Sequence, residues 1–363
     1  MSGQSGPLLR TGAYMKNVWT IGFIGAMAVV AVGVAHGQQV TQQPAAARQT
    51  VPAREGGRGG PETNTTRTSK EELERWMKEL SNWGRWGKDD QLGTVNLITP
   101  EKRKQAASLV KSGIVVSLAP TTMAGKIGRG GPGPAFVGPS ADSPTINLNF
   151  PVQGRTSWVH EQNYALTSTH NGPHFDAICH VAYDGKTYNG YTLKEIATKD
   201  GGCSKMGIGG IKDKIVTRGI LVDIARMKGL QKLEPGTHIY REDIEAFEKW
   251  AKVRFEPGDV FLYRLGRSAG SGLDPSFVPF LKQRDIALFG GDTAHESFTV
   301  PGFDIPVHTV VMVPFGMNMF DNLDLEALAE TAARLKRWEF MFVAAPTPSG
   351  NGTGAQINPI AIF

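Results

Sequence analysis

The stretch Thr167–His180, TSTHNGPHFDAICH, holds three of the chain's eight histidines together with an aspartate. His170, His174, Asp176 and His180 follow the spacing H-x3-H-x-D-x3-H. Four residues apart, His170 and His174 would share one face of a helix, as paired zinc ligands on a helix do. Gly172 and Pro173 lie between them, and a proline inside a helix removes a hydrogen bond and clashes with the preceding turn. The stretch therefore reads as a tight loop leaving a strand, with Gly172 and Pro173 bending the chain so that the imidazoles converge. That places the histidines on a strand-and-loop scaffold.

Working outward, "PTINLNFPV" and "SWVHEQNYALTS" read as strands leading into the cluster, preceded by a glycine- and proline-rich loop over residues 124–145. Further upstream, "SKEELERWMKEL" carries a capping box, Ser69 with Glu72, and apolar residues at helical spacing. Thr99-Pro100-Glu101 opens a second helix running toward Gly113, and "GIVVSLAP" follows as a strand. Downstream, "IVTRGILVDIARMKG", "PGDVFLYRLG", "IALFGGDTAHE", "PVHTVVMVPFG" and "EFMFVAAPTP" are strand candidates. They alternate with helices in "HIYREDIEAFEKWAKV", with Ile244, Phe247 and Trp250 on one face, and in "NLDLEALAETAARLKRW", with Asn322 as its cap. Strands and helices mingle without a solenoid repeat, so the expected fold class is α/β, a single mixed domain over residues 69–363.

The amino terminus reads as an export signal over residues 1–37. Arg10 and Lys16 precede the apolar run "VWTIGFIGAMAVVAVGV", and "AHG" gives a small-x-small pattern before Gln38. An uncleaved anchor is the competing reading, because the run approaches the length of a membrane span. Residues 38–68, rich in Gln, Pro, Gly and Thr, read as a disordered linker. Six Lys/Arg against two Glu fall within residues 1–68, so most of the formal charge of +5 belongs to leader and linker. Nucleic acid is therefore excluded as an expected partner. The expected location is periplasmic or secreted, with no lasting membrane anchor after cleavage. The two cysteines, Cys179 and Cys203, can pair in such a compartment, but they do not make a disulfide framework or a zinc–thiolate set.

Two histidines and one carboxylate leave open positions on Zn²⁺, Mn²⁺ or Fe²⁺, as a catalytic rather than a structural site requires. His180 is one ligand too many for that set and suits a base that carries protons near neutral pH. Asp292, His295 and Glu296 in "GGDTAHESF" also stand out, although each alone is more often structural. His308, at the start of the expected "PVHTVVM" strand, and Asp321 would complete the coordination sphere or hold a second metal.

These residues resemble the metal-dependent cyclase family, which includes bacterial kynurenine formamidases and isatin hydrolase. The family signature H-x-G-x-H-x-D-x3-H stands here as His170, Gly172, His174, Asp176 and His180. "WGKDDQLGTVNLITPEK", "CHVAYDGKTYNG", "IVTRGILVDIA" and "NLDLEALAETA" extend the likeness over residues 83–363, and Ile178 and Cys179 suit its longer branch. The resemblance implies a swivelling β/β/α fold, assembled as a homodimer or homotetramer. It implies His170, His174 and Asp176 as ligands of zinc or manganese and His180 as the acid/base residue. His308 matches a second-metal ligand, and Asp321 stands where two-metal members carry a glutamate. The implied activity is hydrolysis of a carbon–nitrogen bond in an amide or cyclic amide, with a lactone hydrolase as the sister reading. The implied substrate is a small aromatic amide or lactam, for which Trp83, Trp86 and Phe175 are candidate pocket walls; the tryptophans also suit a core.

Two other classes use the same residues. His174, Asp176 and His308 also spell the facial triad of a non-haem iron oxygenase, but that leaves His170 and His180 without roles. A binding module would keep metal and ligand without turnover.

Overall fold

The computed structural model describes residues 66–120, the strand segments 145–149, 152–153, 156–157 and 160–165, residue 170, and residues 172–363. The expected export signal, nearly all of the expected linker and the glycine- and proline-rich stretch lie outside the described residues. Thr66, Arg67 and Thr68, at the end of the linker, are held by Asp274. Its carboxylate accepts from Thr66 Oγ1 at 2.8 Å and from the Arg67 amide at 2.9 Å. No helix among the described residues is long and apolar enough to cross a membrane.

Helix α1 (Lys70–Glu79) begins where its cap predicts, with Ser69 and Glu72 each accepting the other's backbone N–H. It buries Leu73 and Trp76. Helix α2 (Pro100–Ser108) starts on the Thr99 cap with Pro100 in its first turn and stops short of Gly113. Strand β1 is Val115–Ser117, and the segments Thr145–Asn149 and His160–Ala165 pair as an antiparallel hairpin. The histidine stretch supplies β2 (His174–Asp176). Then come β3 (Ile215–Asp223), α3 (Arg241–Ala251), β4 (Val260–Arg264), β5 (Leu288–Gly291), α4 (Pro306–Met312), β6 (Met319–Asp321), α5 (Glu326–Leu335), β7 (Glu339–Ala344), β8 (Gly354–Gln356) and β9 (Ile360–Ile362).

All nine of these strands form one curled sheet in the order β1-β9-β7-β3-β4-β5-β6-β2-β8. Its centre, β3 to β6, is parallel, and helices cover the crossovers between those strands. Such strands face the interior on both sides, which is why β4 and β5 are buried at every position. An aromatic layer of Phe261, Tyr263, Phe277 and Phe289 fills the middle, with ring centroids 5.1–5.6 Å apart along the contacts of Phe289. The sheet is antiparallel at both flanks, and β2 sits between β6 and β8. The expected α/β single mixed architecture is the one observed.

Three expectations are corrected. "PVHTVVM" is a helix, α4, so His308 lies in a first helical turn and not on a strand. Every residue of α4 is buried, which erases the polar face that normally betrays a helix. Asn322 does not cap α5, which starts at Glu326; Asn322 instead takes a left-handed turn directly after β6. On α3, Ile244 and Phe247 are buried, but Trp250 is 43% exposed beside Trp338.

Candidate metal centre

Side chains alternate across a strand, so β2 directs His174 and Asp176 to one face and Phe175 to the other. Phe175 is fully buried against Phe320, with ring centroids 4.5 Å apart. It is a core residue, which overturns its expected place in a pocket wall. The neighbouring register sets His174 opposite Asp321 at the carboxyl end of β6, so the strand pairing itself brings a carboxylate to the histidine stretch. This is the end of the parallel strands at which open α/β sheets commonly bind ligands.

Before β2 the chain turns at Gly172, whose φ of 71° lies in the left-handed region that glycine enters without penalty. The Gly172 carbonyl accepts from His174 Nδ1 at 2.7 Å, and the bend carries His170 back over the site. On β8, Gly354 leaves room for that ring, since a Cβ there would stand 2.7 Å from His170 Nε2. After β2, Ile178–His180 forms a short 3₁₀ turn ending in His180. The turn is tied by a Cys179–Cys203 disulfide with Cα atoms 6.5 Å apart.

The structure brings His170, His174, Asp176, His180, His308 and Asp321 into one cluster. Asp176 Oδ1 lies 3.4 Å from His174 Nε2 and 3.5 Å from His170 Nε2, and Asp176 Oδ2 lies 3.4 Å from His308 Nε2. Asp321 Oδ2 stands 3.5 Å from His308 Nε2 and 3.9 Å from His174 Nε2. Two overlapping sets of donors share Asp176: His170 with His180, and His174 with Asp321. His180 lies at the solvent edge, its ring stacked on that of His170 at 4.3 Å.

Burial depresses the His170 and His180 pKa values below the ordinary imidazole value, against the opposing pull of Asp176. Burial also works to lower that of His308, but Asp176, Asp321 and Glu296 outweigh it and hold it well above the ordinary value. Asp321 is buried, which favours its neutral form, yet His295 and His308 hold it far below the usual carboxylate range.

The donor set fits a divalent cation. Both oxygens of Asp176 are buried and accept no hydrogen bond, an arrangement that costs several kcal/mol for a carboxylate unless a positive charge meets it. His174 and His308 each have Nδ1 against an oxygen acceptor, which places a ring proton on Nδ1 and leaves Nε2 as the atom that faces the carboxylates and could give its lone pair to a cation. At 3.4–3.9 Å from these carboxylates each Nε2 meets negative charge, which holds a proton on His308 and would equally favour a divalent cation in its place. Mixed imidazole and carboxylate donors suit zinc, manganese or iron.

Sequence reasoning left three supporting residues out of the site. Glu296 accepts from His308 Nδ1 at 2.6 Å, and His295 approaches Asp321 Oδ1 at 2.8 Å. Tyr263 completes the set, its hydroxyl 2.5 Å from His295 Nδ1. Asp292 does a different task, accepting the Leu265 and Arg267 amides. Neither expected tryptophan joins the centre. Trp83 is 43% exposed with its indole N–H on the Val313 carbonyl, and Trp86 packs under Arg85.

The Cyclase family model matches residues 107–295, just over half of the chain. This chain belongs to the Cyclase family. Among solved structures it is similar to a novel cyclase at 27% identity and a TM-score of 0.67, covering 78% of this chain and 100% of that one. Isatin hydrolase A from Ralstonia solanacearum is similar at 16% identity and a TM-score of 0.45, covering 69% of this chain and 92% of that one. A protein described as a potential metal-dependent hydrolase with cyclase activity is similar at 16% identity and a TM-score of 0.40, covering 69% and 98%. No curated protein matches by sequence.

Proposed function

We propose that this Cyclase-family chain is a metal-dependent hydrolase that opens the carbon–nitrogen bond of a small amide or cyclic amide, aromatic in character. The observation that carries the reading is Asp176, a buried carboxylate without hydrogen bonds facing three imidazole nitrogens, with a fourth imidazole, His180, at the solvent edge. His170, His174 and Asp176 would hold a zinc or manganese ion, with His308 and Asp321 completing its sphere or holding a second one. Such an ion supplies Lewis-acid polarisation and lowers the pKa of water.

His180 is the acid/base residue in this reading. Its depressed pKa keeps it neutral at pH 7 and able to take the proton of the attacking water. The water oxygen joins the carbonyl carbon, the carbon–nitrogen bond breaks, and the imidazolium returns the proton to the departing nitrogen. Export to an oxidising compartment belongs to the same proposal, and the Cys179–Cys203 pairing supports it.

The test is turnover of N-formylkynurenine, isatin and dienelactones by the metal-loaded chain, with His180→Ala beside it. Amide or lactam hydrolysis lost by about 10²-fold or more in His180→Ala is the expected result. Unchanged activity in that variant removes the role of His180. Turnover of lactones alone moves the reading to a lactone hydrolase, and no turnover of any of the three rejects the hydrolase.

A further inference from the structure

The ligand candidates His308 and Asp321 are each gripped from behind by neighbours in the segment that follows β5. Glu296 accepts three N–H groups: the Val307 amide at 3.2 Å, the His308 amide at 2.8 Å and His308 Nδ1 at 2.6 Å. One carboxylate therefore caps α4 and fixes the ring of the residue that α4 presents. Its side chain is 10% exposed, so water competes little for these bonds.

One position earlier, His295 is 2% exposed and spans Tyr263 and β6. The Tyr263 hydroxyl lies 2.5 Å from Nδ1 and 3.0 Å from Thr293 Oγ1. His295 Nε2 lies 3.0 Å from the Phe320 carbonyl and 2.8 Å from Asp321 Oδ1. The Phe320 carbonyl can only accept, so Nε2 carries the proton and Nδ1 accepts from Tyr263. The N–H points at that carbonyl and lends Asp321 Oδ1 the positive side of its dipole from off the axis. Asp321 is thereby held with Oδ1 toward His295 and Oδ2 toward His174 and His308.

We infer that His295 and Glu296 are positioning residues of the metal centre. Glu296 sets the tautomer and aim of His308, and His295, oriented by Tyr263, sets the rotation of the Asp321 carboxylate. The inference rests on the reading of the cluster as a metal centre and adds its outer layer. Such partners fix the orientation and basicity of the ligands they touch, and losing one typically weakens metal affinity 10–100-fold.

The experiment uses the full chain, stripped by chelation and titrated with cobalt(II). Affinity is read by competition with a chromophoric chelator and geometry by the visible cobalt spectrum. Glu296→Gln is expected to weaken cobalt binding about 10–100-fold and to alter the spectrum. In a His308→Ala background the same substitution is expected to add almost nothing, because its effect passes through that ring. Tyr263→Phe, which keeps its ring in the core, and His295→Gln are expected to lower affinity in the same direction.

Affinities within about twofold of the parent chain, with unaltered spectra, would overturn the inference. So would an equal loss from Glu296→Gln with and without His308, which would leave Glu296 a helix cap only. A parent chain that binds neither cobalt, zinc nor manganese overturns this inference and the proposed function together. Metal binding that depends on Glu296 as described, in a chain that hydrolyses none of the test substrates, supports this inference and rejects only the activity.

Discussion

Asp176 has imidazole nitrogens at 3.4–3.5 Å on both of its oxygens, and neither oxygen accepts a hydrogen bond. Asp292 and Glu296 accept hydrogen bonds, while Asp321 has the His295 ring 2.8 Å from an Oδ1 that accepts none. In the proposed reading Asp176 and Asp321 face the cation, and Asp292 and Glu296 support them. The room around Asp176 is guarded by Gly354, where a Cβ would stand 2.7 Å from His170 Nε2 and 3.0 Å from the Phe175 carbonyl. Gly354→Ala is expected to push the His170 ring aside and weaken metal binding by about tenfold, while metal-free stability changes by about 1 kcal/mol or less. Metal titration beside urea unfolding checks both halves, and unchanged affinity would show that His170 is not held there. At this scale the sequence was readable wherever the chemistry is local. His170 to His180 share one bend, so their spacing is their geometry. Glu296 and His295 stood out, but their partners were not readable, because these neighbours in sequence serve different groups and nothing in their spacing points to His308 or Asp321.

Helix α4 shows why one element escaped a reading by pattern. Its β-branched, wholly apolar run has the composition of a buried strand, and only Pro306 in the first turn hints otherwise. The deciding group is Glu296, lying outside the helix, which satisfies the first amides that a helix leaves unpaired. By contrast α1 and α2 announced themselves, since their caps lie within the helix sequence or next to it. The turn that delivers Glu296 begins at Asp292, just after β5, and Asp292 ties it to the end of β4 through the Leu265 and Arg267 amides. Burial pushes the Asp292 carboxyl up to about 6, against those two hydrogen bonds. A carboxyl whose folded pKa is raised stabilises the fold below its unfolded pKa and loses that contribution as pH rises through the folded value. Between about pH 4 and pH 6 the chain is therefore expected to lose about 2 kcal/mol that Asp292→Asn does not lose. Urea unfolding of both chains across that range measures it, and parallel curves would contradict the assigned shift.

Across the whole molecule, the sheet collects the centre from distant parts of the chain: β2 from the histidine stretch, Asp321 from the end of β6, and Gly354 from β8. The mixed α/β class followed from alternating strands and helices. The placement of β2 between β6 and β8 did not, because a three-residue strand has too few side chains to declare its partners. The Cys179–Cys203 link joins the His180 turn to the short Gly202–Cys203 strand, whose Cys203 amide donates to the Asn351 carbonyl. Replacing both cysteines by serine is expected to cost about 3 kcal/mol of stability. Denaturant unfolding of the oxidised parent and the double variant decides this; equal midpoints would mean that the link constrains nothing.

That link also bears on how the molecule is made. Cys179 and Cys203 are the chain's two cysteines and lie 24 positions apart, so one intramolecular pairing exists and no reshuffling step can be needed to reach it. During synthesis from the amino end, both thiols emerge before Glu296, His308 and Asp321 have been added. The His180 turn can be locked while half of the proposed metal centre is still unmade, leaving the later strands to assemble around a fixed corner.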